Sequence, residues 1–356
     1  MVNHLCKYAF LAVSLLSLNC CYLAKQGFYT VKYSFSARSI DKTVKKKNID
    51  DSLKTLFENI RSIKKYSIEN IGLADNKNYT RFISIKKNYL IDLFAASKTD
   101  TFKFHEWWFP FFGRTPYLGY FKQKDALRQV ENFKKKGYDV IVVPVDAFST
   151  LGIVSDPVYS FMKKLTLYQL TYLIFHEQTH ATIFLKNQMN FNEELATFVG
   201  ETGAMAYIKE RFGEASAEYQ QALREKEDSE TWNRELCTLY VTLDTVYAKR
   251  CSRDEKLRRK KEIIDNFKMV MNDHYQELFR TDAYRRVGTL PINNAYLGLH
   301  MTYTKDLSLF YDFFRKCNND LKSMVTQLKI LRNLKLKDPK EVMRRELQPP
   351  RAPSPL

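Results

Sequence analysis

The chain reads as an α+β protein, with a small mixed sheet in its N-terminal half packed on a mainly helical C-terminal half. Three observations predict this. The β-branched run Tyr138–Val145 (YDVIVVPV), bounded by Gly137, and the apolar stretches Tyr89–Ala96 and Phe102–Phe109 have strand composition, and all precede residue 156. After Asp156-Pro157 the pattern changes to long runs with helical spacing. Hydrophobic residues make up 45% of the 356 residues and aromatics 14%, which supports a sizeable folded core and excludes a disordered chain.

Met1–Cys21 reads as an address. His4 and Lys7 precede Tyr8–Leu18, an eleven-residue apolar run that is too short to cross a bilayer and suits a signal-peptide core. Leu18-Asn19-Cys20-Cys21 has the look of a loose lipobox. Leu18 stands three residues before Cys21, so Cys21 is the expected lipidation site and Cys20 the alternative. Residues 22–332 then form one expected domain, a β-containing part (22–155) and a helical part (156–332). Residues 333–356, rich in proline and charge, are expected to be a disordered tail.

Within the first part, Tyr22–Leu73 reads as polar helix with apolar positions at Leu53, Leu56, Phe57, Ile60 and Ile63. Lys45-Lys46-Lys47 and Lys64-Lys65 load it with charge and, close to a lipid anchor, could touch phospholipid headgroups. Pro110–Phe121 reads as an aromatic bend, and Asp125–Lys136 as a helix stopped by Gly137. The segment Ser149, Thr150, Leu151 and Gly152 follows the clearest strand. Its expected role is a substrate edge, whose free backbone groups hold an extended peptide.

The second part is organised around Leu173–Thr182 (LIFHEQTHAT). Thr166 and Gln169 form a capping box for its helix, and Glu177 and the two His are the ionisable groups between Leu165 and Lys186. On a helix, residues four apart share a face, so His176 and His180 can offer two nitrogens to one metal ion. Glu177 lies one position round, placed to take a proton from water activated there, the division of labour of a zinc peptidase. A carboxylate this deep in an apolar run costs several kcal/mol unless a cation is near. After a polar turn, Asn192 is expected to cap a second helix whose first turn returns towards His180 and carries Glu193 and Glu194. H-E-x-x-H followed by N-E-x-x-A resembles the gluzincin pattern, in which the Glu after the Asn is the third ligand, so Glu193 is chosen. Twelve residues separate His180 from Glu193, which requires a tight connection. Beyond it, Glu214–Tyr247, Asp254–Leu278, Ile292–Tyr303 and Leu307–Leu331 read as amphipathic helices.

Trp108–Phe121 (WFPFFGRTPYLGYF), Asp146–Pro157 (DAFSTLGIVSDP), Phe191–Gly203 (FNEELATFVGETG) and Asn293–Tyr303 (NNAYLGLHMTY) closely resemble a bacterial family of aminopeptidases, many of them lipoproteins. The resemblance runs from about Cys21 to about Leu331. It implies a zincin-like helical half, a Zn²⁺ cofactor, peptide substrates, and a place in the bacterial cell envelope, lipid-anchored on its periplasmic or outer-membrane face. It also points to Tyr303, in the NNA…Y segment, as a donor to the tetrahedral oxyanion. Gly200 departs from the family, which often carries an acidic residue there.

The expected activity is therefore a zinc-dependent metallopeptidase of aminopeptidase type, with His176, His180 and Glu193 as ligands and Glu177 as general base. The alternative is a non-catalytic envelope protein that keeps the helix pair as a structural metal core. An exopeptidase also needs an acid for the substrate amine, and Asp146, Asp156, Glu201 and Glu106 are all open for it. His105, His274 and His300 lack partners at ligand spacing, and Cys237, Cys251 and Cys317 are expected as buried free thiols. The net charge of +17 favours anionic surfaces. Nucleic acid is not an expected partner, because Arg258-Arg259-Lys260-Lys261 lies on a helix face without interleaved aromatics.

Overall fold

The structure, a computed structural model, describes residues 22–45, 49–109, 113–146, 155–303, 307–334 and 338–348, and at residues 302 and 303 the backbone alone. Helix α1 (residues 22–36) turns a polar-aromatic face inward. The Tyr29 and Tyr33 rings lie 5.6 and 5.3 Å from Phe121, and Gln26 Oε1 accepts from the Phe121 N–H. Helix α2 (Ile40–Val44) is short. Helix α3 (Asp51–Glu69) is capped by Asp50, which accepts from the Ser52 N–H, and it buries Leu56, Phe57, Ile60 and Ile63 at helical spacing.

The expectation of helix throughout Tyr22–Leu73 is thus interrupted at β1 (Arg38–Ser39). This strand pairs antiparallel with β2 (Arg81–Ile83), which pairs parallel with β8 (Val158–Tyr159). A second sheet has the order β6-β3-β7, all antiparallel, from β3 (Ile91–Lys98), β6 (Tyr117–Tyr120) and β7 (Tyr138–Val145). Its central strand is buried on both faces, which explains its mostly apolar sequence, and its buried Asp92 is paired with Lys87 at 2.7 Å. Phe94 and Ala96 face helix α4 (Gln123–Lys135), where they meet Ala126 and Phe133. Leu93 and Ala95 face helix α10 (Asn294–Tyr303), where they meet Ala295 and Leu299. A hairpin of β4 (Trp107–Phe109) and β5 (Gly113–Thr115) forms a third, two-stranded sheet.

The strand content is therefore spread over three small sheets among the described residues, and one of them draws a strand from beyond residue 155. Two expectations shift accordingly. Phe102–Phe109 is extended strand only from Trp107, because Phe104 makes a single bridge to Ser97 after a tight turn. Part of the expected bend at Pro110–Phe121 is strand, as β5 and β6.

The remainder is helical. Helices α5 (Leu167–Thr182) and α6 (Met189–Phe212) run antiparallel and share a core with α3, α11 (Ser308–Lys316) and α12 (Leu321–Leu328). Gly203 permits their close approach, since a Cβ there would meet the Phe175 ring at 2.8 Å. Helices α7 (Ala217–Ala248), α8 (Arg253–Asp273) and α9 (Tyr275–Leu278) close a second core around Trp232, Leu236, Leu243 and Tyr275. The helix expected over Leu307–Leu331 breaks at Asn318 and Asn319, both with positive φ (57° and 56°).

The expected disordered tail is corrected over residues 338–348. Pro339–Leu347 is helix α13, with Asp338 capping the Lys340 N–H and Pro339 in the first turn, where proline starts a helix rather than breaking one. Met343 is fully buried, and Lys316 Nζ lies 2.9 Å from Glu346 Oε2. The three cysteines are free, but of them only Cys317 is buried.

Candidate metal centre

Helix α5 begins where the residues require it. The Thr166 hydroxyl accepts from the Gln169 N–H at 3.2 Å, and the Gln169 side chain accepts from the Thr166 N–H at 3.2 Å. The helix buries Ile174, Phe175 and, unusually, Glu177, Gln178, Thr179 and His180. Four-residue spacing stacks the two imidazoles, with Nε2 of His176 and Nε2 of His180 3.1 Å apart.

The third group comes from α6. Glu193 Oε2 lies 3.5 Å from His176 Nε2 and 3.6 Å from His180 Nε2. The three ligand atoms fall within 4.8 Å of one another, and they form the one such group among the described residues. Burial opposes ionisation of Glu193, but hydrogen bonds and charge from the two imidazoles bring its pKa down to about 2. Burial likewise acts to lower the His180 pKa, yet the Glu193 hydrogen bond and the charges of Glu193 and Glu177 raise it on balance. The field at the junction thus favours positive charge. Glu177 Oε2 and His180 Nδ1 are buried and have no hydrogen-bond partner among the described residues.

Asn192 is not the expected cap. Helix α6 starts three residues earlier, at Met189, and Asn192 is buried inside its first turn. There its side chain bonds both backbone groups of one residue, accepting from the Leu185 N–H and donating to the Leu185 carbonyl, each at 2.9 Å. This clamps the tight turn that brings Glu193 back to the histidines. Glu194 points away from them, with Oε2 2.5 Å from Lys340 Nζ of α13.

Two tyrosines at the centre were not anticipated. The Tyr172 hydroxyl is 3.4 Å from His176 Nδ1 and also hydrogen bonds Thr197, one turn after Glu193 on α6. An imidazole that ligates a metal through Nε2 carries its proton on Nδ1, which in His176 is the nitrogen that faces Tyr172. Gly200 makes room for this ring, because a Cβ there would lie 3.0 Å from two of its carbons. An acidic side chain at 200 would displace Tyr172.

The second is Tyr79, fully buried and in the left-handed region at φ 59°, which is rare for a tyrosine. Its pKa is pushed well up, first by burial and then by the charges of Glu177 and Asp156. The loop that carries it is tied to α5. Gln178 Oε1 accepts from the side chains of Asn76 and Asn78, both at 3.0 Å, and Thr182 accepts from the Ala74 N–H at 2.8 Å. Asn78 in turn accepts from the Asp156 N–H at 3.0 Å, and the Tyr79 N–H donates to the Asp156 carbonyl at 2.7 Å. Gln178 in the sequence was a signal for this, as a buried amide directly after the Glu of the motif.

Other residues lie elsewhere. Cys21 and the substrate-edge segment Ser149, Thr150, Leu151 and Gly152 are outside the described residues, as is the Tyr303 side chain. Strand β7, which leads towards that segment, is an edge strand of its sheet. Glu201 sits eight residues beyond Glu193, about 12 Å along α6. Burial pushes its pKa up to about 7, against the attraction of Lys226. Asp146 is also pushed up by burial, and Glu106 faces Arg114 at 3.4 Å. His105 packs against Trp107 and Phe133, and exposed His274 pairs with Glu277 at 2.9 Å. Burial lowers the His300 pKa to about 4. None of the three histidines joins the cluster.

A family model described as "Putative aminopeptidase" matches residues 21–343. No curated protein and no solved structure matches the chain.

Proposed function

The chain belongs to the putative aminopeptidase family, and from that premise we propose that it is a zinc-dependent metallopeptidase, of aminopeptidase type, held at a membrane by a lipid on Cys21. One observation carries the metal reading: two imidazole nitrogens and a carboxylate oxygen converge within 4.8 Å beside a buried, unpartnered glutamate oxygen. The donor set fits zinc, which takes His and carboxylate ligands and in catalytic sites keeps a further position open.

His176, His180 and Glu193 would hold the ion. When bound, it supplies Lewis acidity that polarises a peptide carbonyl and acidifies water. Glu177 acts as general base, taking the proton from the attacking water and delivering it to the departing amine. Its burial beside the histidines removes competing water and keeps the carboxylate free to accept. Tyr172 orients His176 through Nδ1, and buried Tyr79 lies within the electrostatic reach of Glu177. Ser149–Gly152 would hold the peptide backbone, and Tyr303 would donate to the oxyanion.

Metal analysis and turnover on a mixed peptide library test this together. The protein should take up about one zinc per chain. His176→Ala and His180→Ala should lose it, while Glu177→Gln should keep it and lose hydrolysis. A wild-type chain that binds zinc and cleaves nothing in the library would support the non-catalytic envelope protein instead.

A further inference from the structure

Helix α1 is apolar on two opposite faces. Tyr22, Gln26, Tyr29 and Tyr33 recur at i, i+4, i+7 and i+11 and pack inward. Ala24, Phe28, Val31 and Phe35 repeat the same spacing and are exposed. At 100° per residue the two stripes are centred roughly 200° apart. The outer stripe is large: Phe28 is 62%, Val31 45% and Phe35 81% exposed, so each presents about half or more of its surface to solvent. A helix that is apolar on both faces belongs between two apolar phases, and the protein core supplies only one.

Beside this stripe opens a groove of about 690 Å³. Its rim carries Lys32, Arg38 and Lys86, all exposed, its walls include Phe82 and Phe121, and no acidic residue lines it. Aromatic side chains flanked by cations fit a surface that is apolar inside and anionic at its boundary. A bilayer with anionic headgroups is such a surface, and the net charge of +17 acts in the same direction. Cys21 directly precedes Tyr22, the first described residue of α1, so a lipid on Cys21 would hold the stripe at the membrane.

We propose that the outer face of α1, with Phe28, Val31 and Phe35, and the adjoining Lys32–Arg38–Lys86 rim form a docking surface for an anionic bilayer. The surface fixes which side of the enzyme faces the lipid. The proposal builds on the anchor reading but depends on a different set of residues.

The full-length protein, isolated from membranes, is reconstituted into phosphatidylcholine vesicles with one third phosphatidylglycerol and brominated acyl chains. Tryptophan is placed by Phe35→Trp and, as a control on α7, by Val241→Trp, which replaces a side chain also exposed at 57%. Docking predicts quenching of the Phe35→Trp signal several-fold above that of Val241→Trp, as expected for a helix seated at the acyl boundary. The difference should shrink in pure phosphatidylcholine and in a Lys32→Glu/Arg38→Glu/Lys86→Glu chain. Vesicle-bound protein with equal quenching at both positions overturns the docking and leaves the anchor standing. Absence of acyl label on Cys21, with selective quenching of Phe35→Trp retained, overturns the anchor and supports the docking. Retention of a stoichiometric protein through Phe35 in place of lipid would also overturn it.

Discussion

Tyr172→Phe isolates the part played by the tyrosine behind the proposed metal ligands. The substitution removes one oxygen and leaves the ring under Gly200 in place. The lost bond is long, 3.4 Å from oxygen to His176 Nδ1, so it should be worth no more than a typical neutral hydrogen bond, about 1 kcal/mol. That corresponds to about fivefold in a binding constant. Partners of metal-bound histidines are generally worth about ten- to a hundredfold, so the expected loss of zinc affinity is about five- to tenfold. Competition with a chromophoric chelator measures it directly. Thr197→Val is the control, because it removes the outer hydrogen bond and keeps the inner one, and it should change affinity by less than about twofold. Unfolding of the metal-free protein should move by only about 1 kcal/mol in either variant. A Tyr172→Phe protein that folds normally and binds zinc as tightly as the wild type would refute the idea that Tyr172 orients His176.

Three further outcomes follow from the geometry. Lys340→Met leaves the Glu194 carboxylate buried without its cation and should cost about 3 kcal/mol in chemical unfolding, whereas zinc content should be unchanged; unchanged stability together with loss of the metal would refute the separate roles of Glu194 and Glu193. Gln178→Ala strands the amides of Asn76 and Asn78 and should cost about 2–3 kcal/mol, with turnover falling as Tyr79 shifts from Glu177; stable protein with full turnover would rule out the clamp. Tyr303→Phe should lower turnover by about 10²–10³ at unchanged zinc content if Tyr303 is the oxyanion donor; undiminished turnover in a peptide assay would remove it from the site.

How much of this was legible depended on the distance over which each feature is encoded. The α5 helix, its capping box and the stacking of His176 on His180 follow from spacings of three and four residues, so the chain order alone displays them. Glu193 required one more step, a pattern that chooses between adjacent glutamates, and the structure shows the separation: one faces the imidazoles and the other Lys340. Asn192 was misread because local rules assign an asparagine before a helical run to the cap, while here it serves the backbone groups of Leu185, seven residues back. The helix at Pro339–Leu347 is hidden by its polar composition, since Met343 joins the main core and the helix is tied to Lys316 of α11 and Glu194 of α6, both distant in sequence.

The least legible feature is the loop of residues 74–80, and its strain connects the fold to the chemistry. Tyr79 holds a left-handed backbone that costs a tyrosine about 1–3 kcal/mol. Local sequence gives no reason for it, because the residues that hold it lie about a hundred positions away on α5. Gln178 and Thr182 follow Glu177 on α5, so the helix that carries the proposed general base also fixes this loop. Any movement of α5 along its axis would carry the histidines, Glu177 and the Tyr79 loop together. That coupling holds the loop in register with the His176–His180–Glu193 cluster, so a substitution at Gln178 or Thr182 should disturb both.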